Sequence, residues 1–267
     1  MRNELTVLIP THAVKVEQIG PYKNHRQQNR TAPYTDLIEK VIKNIQESLT
    51  LFDLQFVIGL DHKEDDDLSC EYLENLKKLG HTVITTDSKL EDKPLTTVTA
   101  TRNFLNLIDH SPTEWFMLWE HDWVFSDSDF IREKQESILA STLWHTPLGR
   151  DVMLRFNQRE NKTYEGHEFV WVEYESPETK GQVLRTSLYS NNPFITSKTY
   201  WKKFFEPYAR EIPDWWGEHG AFIEGPINRN LKEKHNVEDY TINLFGNMGM
   251  KASVHHLNGQ VWDNRND

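Results

Sequence analysis

Residues 114–125 read Glu-Trp-Phe-Met-Leu-Trp-Glu-His-Asp-Trp-Val-Phe. An apolar run over 115–119 ends abruptly in Glu120-His121-Asp122. A short run of this kind predicts a buried strand. It sets two acidic groups, one residue apart, at the C-terminal end of that strand. In open α/β sheets this is the end where ligands bind. Carboxylates there are costly unless neutralised, and a hard divalent cation is the usual partner. A cation so held can also grip a diphosphate, which points to chemistry on a nucleotide-linked substrate.

The preceding sequence predicts the scaffold. Compact apolar strands are expected over 5–9, 56–60 and 82–86, the first stopped by Pro10 and the second ending at Asp61. Helical spacing occurs at 37, 38, 41, 42, 45 and 49, again over 68–79 with Gly80 as a stop, and over 97–109. Alternation of this kind predicts a mostly parallel sheet covered by helices. After residue 125 the pattern changes. Strands are expected over 151–156, 168–174, 183–188 and 252–257, and helices over 199–208 and 218–231. The expectation is one domain over 1–267, with a nucleotide-binding half (1–125) and a smaller acceptor-binding half (126–267). The polar stretch 11–33 carries Arg26 and Arg30, and forked guanidiniums suit a diphosphate. The acidic run 64–67 reads as a solvated helix start.

With 37% hydrophobic and 27% charged residues the chain can build a core, so disorder is excluded. A formal net charge of −11 argues against nucleic acid as the partner. Cys70 is the single cysteine, so no intrachain disulfide can form, which fits a reducing compartment. The N-terminal apolar run is too short for a signal peptide, and no stretch approaches the ~18 apolar residues of a membrane span. A cytoplasmic protein is expected, with peripheral contact to a lipid-linked acceptor left open. Asn29 and Asn161 open glycosylation triplets, better explained by chance.

Several motifs occur in a telling order: residues 5–11, Val57-Ile-Gly-Leu-Asp61, Thr99-Ala-Thr-Arg-Asn103, Glu120-His121-Asp122, Trp216-Gly-Glu-His219 and His255-His256. This order resembles the GT-A glycosyltransferases, in particular the family-2-like group. The resemblance implies a Rossmann-type GT-A-like α/β fold, a nucleoside-diphosphate sugar as donor (UDP favoured), and a divalent metal, Mn²⁺ or Mg²⁺. It places Thr11 in the nucleotide loop and Asp61 against the base. Arg102 and Asn103 fall before the metal strand, Arg102 reaching either the acidic motif or the donor phosphates. Glu120 and Asp122 stand where the family carries Asp-x-Asp, with Asp122 on the metal and Glu120 acting through water or the donor ribose. His255 or His256 corresponds to a C-terminal metal ligand. Neighbouring strand residues face opposite sides, so one of the two points inward, with His255 preferred. Glu218 matches the base region of inverting members, and Glu224 is the alternative base. Glu replaces the first Asp of the metal motif, and His219 stands where the base region often has Asp.

Trp215 and Trp216, just before Gly217-Glu218, are candidates to cover a sugar face at the acceptor site, and Trp123 for the donor sugar. The leading expectation is metal-dependent transfer of a monosaccharide to a glycan hydroxyl, with inversion. The rivals are a metal-dependent phosphoesterase or pyrophosphatase, and a non-catalytic glycan-binding module.

Overall fold

The computed structural model describes residues 3–13, 33–87, 96–143, 152–161, 172–173, 183–210, 223–236 and 239–257. The first strands are β1 (Glu4–His12), β2 (Asp53–His62), β3 (Thr82–Asp87) and β4 (Trp115–Leu118). Between them run α1 (Asp36–Ser48), α2 (Asp67–Lys77) and α3 (Thr96–Asp109). Helix α1 forms because Leu37, Ile38, Val41, Ile42 and Ile45 share one buried face. Helix α2 starts where Asp66 accepts the amide of Ser69, so one acid of the run 64–67 is a cap.

Beyond β4 come β5 (Trp123–Phe125), α4 (Ser128–Glu133), α5 (Gln135–Ser141), β6 (Met153–Arg155), β7 (Val172–Glu173), β8 (Val183–Thr186) and β9 (Phe194–Ser197). These are followed by α6 (Lys198–Phe204), α7 (Glu206–Arg210), α8 (Glu224–Lys234), β10 (Ile242–Phe245) and β11 (Val254–His256). Nine strands form one sheet in the order β3-β2-β1-β4-β9-β6-β10-β8-β7. The pairings β3-β2, β2-β1, β1-β4 and β6-β10 are parallel. The pairings of β9 with β4 and β6, and of β8 with β10 and β7, are antiparallel. Only β8 and β9 therefore run against the other strands, and the sheet is mostly parallel in direction, as the alternation predicts.

Two apolar layers cover the sheet. One gathers Ile38, Val41 and Ile45 of α1, Leu76 of α2 and Leu139 of α5. The other gathers Phe104 and Leu107 of α3, Trp201 of α6, Ala209 of α7 and Ile227 of α8. The helix expected over 199–208 is broken into α6 and α7. Of the helix expected over 218–231, the described part begins at Glu224. Strands β5, β9 and β10 and helices α4 and α5 were not expected, and each is seven residues or shorter.

Register places the site. Leu8, Leu118, Phe194, Arg155 and Leu244 lie in one row across five strands. The chain beyond Leu118 and Arg155 therefore emerges at the same edge as the ends of β1 and β2. Helix α3 presses so closely on β2 that a Cβ at Gly59 would lie 2.5 Å from Asn103 Oδ1 and 2.6 Å from Leu107 Cγ.

Candidate functional site

After Leu118 the chain turns out of the sheet. Trp119 is fully buried and donates its ring N–H to the Trp123 carbonyl at 2.7 Å, while the Trp123 amide reaches back to the Glu120 carbonyl. This pins Glu120-His121-Asp122 as a tight turn at the sheet edge. Strand β5 then pairs antiparallel with β11, His256 opposite Trp123 and His255 opposite Val124. The Leu257 amide donates to the Asp122 carbonyl at 2.7 Å and closes the ribbon.

The ribbon brings His256 Nδ1 to 3.3 Å from Asp122 Oδ2, both side chains 11% exposed. The contact is not aligned as a hydrogen bond, and Nδ1 is buried with no hydrogen-bond partner among the described residues. The imidazole lies against the Trp123 ring, centroids 3.7 Å apart. The two groups form a close, buried pair, an ion pair whenever the imidazole is protonated. His255 takes the other face, its Nδ1 3.2 Å from Ser126 Oγ. The sequence reading preferred His255, but the pairing with β5 turns His256, not His255, toward Asp122.

Electrostatics divides the carboxylates. Burial pushes Asp122 up, but His256 beside it, the charge of His121 and a backbone N–H outweigh that and hold it below its ordinary value. Glu120 is half-buried. Burial pushes its carboxyl up to about 8, and the charges of Asp122 and Glu224 add to the effect against the Trp123 side chain. Asp61 ends β2, and one of its oxygens is buried with no hydrogen-bond partner among the described residues. Burial pushes it up to about 6, with Lys63 opposing.

Glu224 opens α8 and accepts from the Ser190 hydroxyl at 2.9 Å and from the Asn191 amide. Arg155 and Tyr189 are buried nearby and were not anticipated. A lone Arg at the end of a short strand reads as a surface residue, and a lone Tyr reads as core. Burial lowers Arg155 to about 10, with Glu224 and Tyr189 opposing. Tyr189 is held well above its ordinary value by burial and by the charges of Glu224 and Glu120. Glu120, Glu224, Arg155 and Tyr189 thus feel one another's charge.

Other expected residues have different surroundings. The Asn103 amide donates to the carbonyls of Gly59 at 2.8 Å and Thr11 at 3.3 Å, and its oxygen accepts from Thr86 at 3.4 Å. It ties together the ends of three strands. Thr11 Oγ1 turns to the Tyr72 hydroxyl at 3.1 Å, on the core side. Arg102 is exposed on α3. Trp123 is 4% exposed, and its ring lies against that of His256. Glu218, Trp215, Trp216, Arg26 and Arg30 lie outside the described residues.

Among the described residues no three His, Cys, Asp or Glu side chains converge as a complete metal cage. A pair of ligands is still a sufficient protein contribution where phosphate oxygens and water complete the shell, as for Mg²⁺ at phosphoryl sites. Carboxylate, phosphate and water ligands suit Mg²⁺ and Mn²⁺ alike. No helix among the described residues is long and apolar enough to cross a membrane.

No family model and no curated protein matches this chain. Solved structures similar to it include nucleotidyl and glycosyl transferases. A nucleotidyl transferase from Methanothermobacter thermautotroptrophicus has 9% identity over 92% of this chain and 88% of the other, TM-score 0.48. TarS 1-349 of S. aureus has 12% identity over 96% of this chain and 60% of the other, TM-score 0.47. A mannosyltransferase from Pyrobaculum calidifontis in complex with GDP-Man and Mn²⁺ has 10% identity over 76% of this chain and 47% of the other, TM-score 0.38. Likeness at that level leaves the functional reading to the residues of this chain.

Proposed function

We propose that this chain is a metal-dependent glycosyltransferase that moves a monosaccharide from a nucleoside-diphosphate sugar, UDP favoured, to a glycan hydroxyl with inversion. The observation that carries the reading is the crowded Asp122–His256 pair at the strand ends, with Glu120 and Glu224 beside it. Asp122 and His256 would hold the cation, with Glu120 close by. The bound ion supplies charge neutralisation for the departing diphosphate. Asp61, at the end of β2, would accept ring N–H groups of the nucleotide base, which would offset its burial.

Inversion needs a base on the acceptor hydroxyl as the sugar leaves. Glu224 is the described carboxylate for that role. The helix N-terminus behind it favours its charge, and bonds from Ser190 and Asn191 fix one oxygen, leaving the second for the hydroxyl proton. Glu218 remains the family-derived candidate for the same role.

The test is thermal stabilisation by UDP, GDP and CDP, each with and without Mn²⁺, for the wild type and Asp122→Ala. Binding to the native state raises apparent stability by mass action. A shift with one nucleotide that needs Mn²⁺ and vanishes in the variant supports the reading. Absence of any shift in the folded wild type counts against it. Sugar transfer to an added glycan, in preference to donor cleavage without one, then separates the transferase from a hydrolase.

A further inference from the structure

Arg155 is the least expected group near the site. It ends β6, is 7% exposed, and has a buried Nε with no hydrogen-bond partner among the described residues. A buried guanidinium is costly unless neighbouring charge or hydrogen bonds compensate it. Its visible bond runs from Nη1 to the Leu188 carbonyl at 2.9 Å.

That bond grips the start of a short segment which α8 grips from the other side. Asn228 Nδ2 donates to the Tyr189 carbonyl at 2.9 Å, and Asn228 Oδ1 accepts the Tyr189 amide at 2.8 Å. One turn earlier, Glu224 accepts from Ser190 and Asn191. Residues 188–191 are therefore a strap between the guanidinium and the first turn of α8. The Tyr189 ring packs against Phe194, Trp201 and Phe205, which anchors the middle of the strap in the core. The charge of Glu224 is also the leading field that offsets the burial of Arg155.

We propose that Arg155 is a positioning residue for Glu224, holding the 188–191 strap by hydrogen bond and the carboxylate by charge. It touches no substrate itself. This rests on the reading of Glu224 as the base that accepts the acceptor proton.

The experiment is a double-mutant cycle on the full chain with Arg155→Met, Glu224→Gln and both together. The first readout is Tm. Breaking a buried charge relationship from one side lowers Tm by about 5–10 °C, and removing the partner charge as well recovers most of that loss. Additive losses would overturn the pairing. The second readout is transfer kinetics at saturating donor, in conditions where every variant is folded. Arg155→Met lowers kcat about 100-fold, the lower end of a positioned base's contribution, and Arg155→Lys recovers part of it. In the double variant kcat is no lower than in Glu224→Gln alone, because the residue being positioned has gone. A kcat for Arg155→Met within a few-fold of wild type overturns the positioning role. The third readout is the Mn²⁺-dependent nucleotide shift, which Arg155→Met preserves because Asp122 and His256 are untouched. Loss of that shift in the wild type defeats the transferase reading separately, while the Tm cycle still judges the pairing.

Discussion

Replacing Asp61 by Asn is expected to make the ligand-free protein more stable and its nucleotide binding weaker. The carboxyl stands at the end of β2, partly buried, with one oxygen lacking a hydrogen-bond partner among the described residues. Burial raises its pKa from 3.8 to about 6. The sign follows from linkage. Between those two values the folded state binds the proton more tightly than the unfolded state, so this group makes stability fall as pH rises. The cost is absent below about pH 4 and complete above about pH 6. At ~1.4 kcal/mol per unit the full shift would be about 3 kcal/mol. Partial exposure screens it, and about 1–2 kcal/mol is the discounted figure. For a chain of this size that is about 2–5 °C in Tm. The assay is calorimetry of wild type and Asp61→Asn at pH 3.5, 5 and 7.5. The variant should gain at pH 7.5, gain less at pH 5 and gain nothing at pH 3.5. With saturating nucleotide the order at pH 7.5 should reverse. A variant less stable than wild type at pH 7.5 without ligand, or a difference independent of pH, refutes the reasoning.

His256→Ala should abolish the Mn²⁺-dependent nucleotide shift while His255→Ala leaves it within about twofold, measured by calorimetric titration, because only the first ring meets Asp122. Gly59→Ala should cost about 1–3 kcal/mol in urea unfolding, since its methyl would enter space held by Asn103 and Leu107. Asn161→Ala should cost about 2–3 kcal/mol, because its fully buried amide donates to the carbonyls of Phe245 and Asn247. For the same reason mass spectrometry of folded protein exposed to a glycosylating extract should find no glycan at Asn161.

The strongly periodic elements were legible. Helix α1 shows its buried face in the sequence, and so do the apolar runs of β1, β2 and β4, although β1 continues through Pro10 to His12 and β2 runs one residue past Asp61. Those runs already put Asp61 and Glu120 at the C-terminal ends of their strands. Strands β5, β9 and β10 have three or four residues each, too few to show a period of two, and β9 runs directly into α6. Missing β5 also hid the choice between the two histidines, which only the register of the ribbon makes. Arg155 was illegible for another reason. Its significance comes from a row across five strands and from a helix about 70 residues away in sequence, a relation no local pattern encodes. Asn103 shows the reverse case, since the motif resemblance invited a ligand role, whereas its amide donates to the carbonyls of Thr11 and Gly59 and accepts from the Thr86 hydroxyl at three strand ends.

The ribbon of β5 and β11 also bears on how the chain reaches working form. Its strands are far apart in sequence, with 129 positions separating the hydrogen-bonded Ser126 and His255. Closing so large a loop costs entropy that is recovered only once the intervening sheet has assembled. The cation pair is therefore expected to be a late structure, absent from a nascent chain still short of Val254 and from a chain clipped before it. In kinetic terms, metal competence would lag behind the main folding transition, so a stopped-flow refolding trace should regain its core fluorescence before it regains Mn²⁺ binding.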